Sequence, residues 1–141
     1  MGESDLPVFG TEQDGGRAVV LNKNPVGWVL RPESLLRITD GYSLIVRDNA
    51  MSPEHKSGST ALVHPHTPPR SQTGDQDGDT CVFRERFEAG GAGGGKVCIG
   101  ELMSEAQDAW HIRQRKPKKD LMLKKAEWPF CHVTVGNYFR R

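Results

Sequence analysis

Residues 42–64 read YSLIVRDNAMSPEHKSGSTALVH, in which two apolar, β-branched runs flank a polar stretch. Tyr42-Ser-Leu-Ile-Val-Arg47 and Thr60-Ala-Leu-Val-His64 have the length strands favour, and their side chains suit a pleated, half-buried surface. Between them, Ser52-Pro53-Glu54 has the order of a helix N-cap followed by proline at the first helical position, so a short helical turn is expected after Met51. The stretch reads as strand, turn, strand.

The same pattern repeats outward. Short apolar runs recur at 17–21, 26–30, 80–84, 97–102, 110–114 and 132–139, cut apart by Gly, Pro and polar clusters, with no long segment of helical period. The expectation is a mostly β domain of short twisted strands and hairpins, with a second short helical turn at 32–37. Two connections are expected to be mobile: TPPRSQTGDQDG at 67–78 and AGGAGGG at 89–95. The glycine run is not a phosphate-binding loop, because Lys96 is followed by Val97 where that motif needs Ser or Thr.

A chain of 141 residues has room for one core. Lys and Arg number 19 against 18 Asp and Glu, which removes any global electrostatic case for nucleic acid or an anionic membrane. No apolar run is long enough to span a bilayer and the first residues lack the order of a signal peptide, so the expected location is cytoplasmic. Cys81, Cys98 and Cys131 are an odd set without C-x-x-C spacing, each among apolar neighbours, and read as core thiols.

From Leu6 onward the order of motifs resembles the C-terminal domain of LexA-type and lambda-type phage repressors, a peptidase-like family of Ser-Lys self-cleaving regulators. Members commonly read V-x-G-D-S-M-x-P. Here the stretch is Val46-Arg47-Asp48-Asn49-Ala50-Met51-Ser52-Pro53, continued by Gly58-Ser59 and by Gly78-Asp79 before the run at 80–84. Trp110-His-Ile-Arg-Gln114, Lys118-Lys119-Asp120 and the segment 126–141 look like the family's C-terminal strands. The resemblance implies a division into a flexible N-terminal segment, 1–16, that is the remnant of the cleavable linker, and a regulatory domain, 17–141.

The family's chemistry needs a serine hydroxyl activated by a lysine whose burial favours the neutral amine. In register, the serine position holds Ala50, and the lysine of the V-x-V-K-x-L pattern falls on Gly100 in Val97-Cys98-Ile99-Gly100-Glu101-Leu102. Loss of either member of such a unit costs roughly 10⁴ to 10⁶ in rate. Ser52 and Lys96 are the nearby groups that could stand in for the pair. The segment matching the family's cleavage site is Phe9-Gly10. The resemblance therefore implies a pseudoenzyme that needs no cofactor, metal or small-molecule substrate. It would regulate transcription in a bacterial or phage setting by forming a homodimer, or a heterodimer with a repressor-like protein, and so act as an anti-repressor. No helix-turn-helix precedes the domain in this chain, so DNA is not read by that route. The alternative is the dimerisation and self-cleavage domain of a larger DNA-binding repressor, with its serine replaced at Ala50.

Three other constellations stand out. Arg113, Arg115, Lys116, Lys118 and Lys119, followed by Lys124 and Lys125, form a basic stretch that could contact phosphates or be a solvated hairpin tip. His64-Pro65-His66 lacks the further ligands a zinc site needs. Trp28, Trp110 and Trp128 are expected to anchor the core.

Overall fold

The computed structural model describes residues 6–13, 19–38, 40–46, 59–85, 94–115 and 118–138. It is mostly β, as the apolar runs require. The strands are β1 (Leu6–Phe9), β2 (Thr11–Gln13), β3 (Val19–Leu21), β4 (Gly27–Val29), β5 (Tyr42–Ile45), β6 (Thr60–His64), β7 (Thr80–Arg84), β8 (Lys96–Glu105), β9 (Ala109–Arg115), β10 (Lys118–Lys124) and β11 (Phe130–Tyr138). One 3₁₀ turn, Glu33–Leu35, falls within the expected 32–37. The turn expected after Met51 lies outside the described residues.

All eleven strands belong to one sheet, with nine in the order β10-β9-β8-β7-β11-β6-β5-β1-β4. The remaining two close it into a ring. β1 pairs in parallel with β5, with Phe9 opposite Leu44; one residue later β2 pairs with β3, and β3 pairs with β8, Val19 opposite Val97. Hydrogen bonds from Asn22 N to the Gly10 carbonyl and from Leu21 N to the Gly95 carbonyl, both 2.9 Å, hold this seam. β8 is the longest strand, and its outer edge is shared: Lys96 and Val97 pair with β3, while Glu101 to Glu105 pair with β9.

Because side chains alternate across a strand, the ring has two packing layers. Val82, Val97, Leu44, Val63, Phe9 and Leu21 pack together on one face, with Tyr42 among them. Cys81, Phe83, Cys98 and Leu102 point the other way, where Trp110, Ile112, Leu123 and Trp128 from the β9–β10 hairpin and its exit cover them. All five residues of β7 are therefore buried. Cys81 and Cys98 are buried in the core, as expected, in no disulfide, and Cys131 is half-buried.

Three expectations need correction. Within the N-terminal segment 1–16, the described residues 6–13 do not stand apart from the domain: Leu6 is fully buried and β1 lies between β4 and β5. The sequence signal was weak because each of these strands has only three or four residues and Pro7 interrupts the first. Residues 67–78 are pinned rather than loose, with Gln72 N donating to the Leu102 carbonyl, Asp79 N to the Arg70 carbonyl and Gly78 N to the Glu101 carboxylate. Trp28 is not a core anchor; it is 56% exposed, whereas Trp110 and Trp128 are buried as expected.

Gly78 is where the pinned segment comes closest to β8, and a Cβ there would land on the Leu102 carbonyl oxygen and crowd Gln72 N. Gly78→Ala should therefore cost roughly 2 kcal/mol or more of stability, read as a lower urea midpoint at unchanged m-value.

Candidate functional site

The segment matching the family's serine motif lies between β5, which ends before Val46, and Ser59, which precedes β6. These flanks are tied by Val46 N donating to the Ser59 carbonyl at 2.8 Å. Ala50 and Ser52 lie outside the described residues. The hydrogen-bonded seam places this exit beside the start of β8: Thr11 Oγ1 donates to the Ile45 carbonyl at 2.7 Å, Thr11 pairs with Leu21, and Leu21 reaches Gly95. Lys96 opens β8 there, exposed, with its backbone N donating to Glu85 Oε1 at 2.9 Å.

Gly100 sits elsewhere. It lies mid-strand opposite Cys81, and a Cβ built on it would stand 2.8 Å from Ile112 Cδ1 and 3.3 Å from Ile112 Cβ. Any side chain at this position would point into the layer beneath the β9–β10 hairpin, into space that Ile112 fills. Packing alone gives a reason for glycine here.

The matching cleavage segment is held in the ring. Phe9 is buried in β1, stacked edge-on against Tyr42 with ring centroids 6.2 Å apart, and the Gly10 carbonyl is in the seam. Presenting the Phe9-Gly10 bond to a nucleophile would require opening that seam.

Inside the ring the structure assembles a polar group that the sequence did not flag. Arg84 is fully buried, donates through Nη2 to the Gly94 carbonyl at 2.8 Å and lies over the Tyr42 ring at 5.2 Å from its centroid. The Tyr42 hydroxyl meets His132 Nδ1 at 2.8 Å. Burial pushes the tyrosine up to about 12, against the opposing pull of Arg84's charge and hydrogen bond. Which of the two donates in this bond follows from the imidazole tautomer. Burial, reinforced by the Arg84 charge, lowers His132 to about 3, so the ring is neutral. The signal for this cluster was an arginine closing an otherwise apolar strand run, Thr-Cys-Val-Phe-Arg84, and a histidine in another.

On the outer face of β8, β9 and β10, four groups line up. Ser104 Oγ lies 3.5 Å from His111 Nδ1, and His111 Nε2 lies 2.9 Å from Asp120 Oδ2. The order suggests a nucleophilic triad, but Arg113 also holds both Asp120 oxygens, at 2.7 and 3.2 Å. These two hydrogen-bonding partners hold the carboxyl well below the usual carboxylate range, Arg113 contributing most. A carboxylate so neutralised and open to solvent stabilises an imidazolium poorly, so the row is an ion-pair ladder across the hairpin.

In that ladder Arg113, one of the possible phosphate contacts, is paired with Asp120. Lys118 and Lys119 are exposed on β10, while Lys116 and the side chain of Arg115 lie outside the described residues. Lys125 is bound to Glu105 at 2.5 Å and lies over the Trp110 ring at 4.5 Å from its centroid. His66 is paired with Asp40 at 2.5 Å, and His64 Nδ1 accepts from the His66 backbone. Among the described residues, no group of three or more His, Cys, Asp or Glu converges to hold a metal ion, and no helix is long and apolar enough to cross a membrane.

The chain was compared with models of known protein families and with curated proteins, and neither comparison gave a match.

The histidine in the ring interior sets a pH dependence. Its folded value lies below the unfolded one, so stability is full above about pH 6.5 and is lost as pH falls toward 3, because only the unfolded chain takes up the proton there. Urea unfolding should show a loss of about 1 kcal/mol per unit between pH 6 and 4, and His132→Gln should flatten that slope.

Proposed function

We propose that this chain is a catalytically inert regulatory domain of the self-cleaving repressor type, acting through protein contacts to modulate transcription. The observation that carries the reading is Gly100 beneath Ile112: the strand matching the family's lysine strand is packed around the lack of a side chain. A side chain restored there would displace a core residue. The buried Phe9 and the seam through Gly10 support the same reading, since the matching cleavage segment serves as a wall of the ring.

What remains of such a domain's two jobs is association, with a second copy or with a repressor-like protein. A free domain paired with a repressor subunit would leave one DNA-binding head where two are needed for avidity, and would act as an antagonist.

Incubation at alkaline pH, where a lysine base would be neutral, should leave the intact mass unchanged over days. Appearance of a chain shortened at Phe9-Gly10 would overturn the reading. Gly100→Ala should lower stability by roughly 1–3 kcal/mol through the clash with Ile112, measured by urea unfolding.

A further inference from the structure

We propose that the open edge of β4 pairs antiparallel with β4 of a second copy of this chain, around a two-fold axis at Trp28. This rests on the reading above and names the surface that reading would use.

The nine-strand path ends at β10 and at β4. A sheet edge invites another strand unless charges, proline or a covering element guard it. β10 is guarded: Lys118, Lys119, Asp120 and Lys124 stand along it, all exposed. β4 is Gly27-Trp28-Val29, with no charge, and among the described residues it pairs with β1 alone. Val26, Trp28 and Leu30, at alternate positions, are each half or more exposed.

The occupant follows from the symmetry of this row. Antiparallel self-pairing about Trp28 sets Val26 of each copy opposite Leu30 of the other and the two tryptophans together, so the patch is complementary to itself. The exposed charges flanking it match as well. Lys23 precedes the strand and Glu33 follows it, so the two-fold brings the basic flank of one copy toward the acidic flank of its mate. Arg31 keeps its charge, and its guanidinium is held on the carbonyls of Leu35 and Ile38 of its own copy at 3.1 and 2.5 Å. A row of three side chains and one strand falls short of the roughly 800 Å² per partner of a durable interface, so the dimer forms in the micromolar range.

Sedimentation equilibrium of the full chain from ~5 to ~200 µM tests this. The wild type should show a monomer–dimer equilibrium. Trp28→Glu should weaken it by about tenfold or more, with the circular dichroism spectrum unchanged because the side chain is exposed. Lys119→Glu, on the guarded edge, should leave it unaltered. Lys23→Glu should weaken the dimer, and adding Glu33→Lys should restore it, which keeps the test open should the tryptophan variant fold poorly. A dimer that survives Trp28→Glu, or that falls apart on Lys119→Glu, overturns the β4 surface but leaves the protein-contact reading standing. A wild type that stays monomeric at the highest concentration overturns this proposal and the homodimer arm of that reading together.

Discussion

The pairing of β3 with β8 is the constraint on which the rest of the molecule depends. Without it the sheet would be an open, strongly twisted ribbon; with it, β1 and β2 become one continuous wall and the chain encloses an interior. That closure explains why Arg84 can be fully buried. Within the ring Arg84 has the Gly94 carbonyl as the acceptor for Nη2 and the face of the Tyr42 ring beneath its charge. The closure also explains the neutral state of His132, because burial disfavours the imidazolium and the nearby Arg84 charge adds to that.

Strands with strong alternation were legible before any coordinates. The segment 60–64 coincides with β6 and 80–84 with β7, and the runs at 42–47, 97–102 and 110–114 find β5, β8 and β9 with ends shifted by a few residues. β10 was legible only through the resemblance, at Lys118-Lys119-Asp120, because those charges hide the alternation of Leu121 and Leu123, the two residues that face the outer layer. β1 and β2 were missed because three or four residues carry too little period to read, and their place is set by partners far along the chain. The pinned segment 67–78 was read as loose because its composition is polar. Its order comes from the Leu102 carbonyl and the Glu101 carboxylate on β8, which no local pattern reveals.

The candidate site was legible only as an alignment of residue types. Ala50 and Gly100 were paired by motif, yet the structure gives Gly100 a packing role of its own under Ile112. The Arg84, Tyr42 and His132 cluster joins residues up to 90 apart in sequence, and no spacing rule links them. Trp28 shows the converse: an aromatic residue in an apolar run invites a core assignment, and only its place on an end strand of the sheet turns it outward.

The divided edge of β8 has a dynamic consequence. Its first residues belong to the ring through β3, while its last five belong to the β9–β10 hairpin, whose hold on the rest of the molecule is this half-strand and the layer under Trp110 and Ile112. The chain is thus built as two cooperative units joined through one strand, and amides of the hairpin can exchange with solvent by an opening that leaves the ring shut. The break in register between Leu102 and Ser104 interrupts the ladder by which β9 is held to β8.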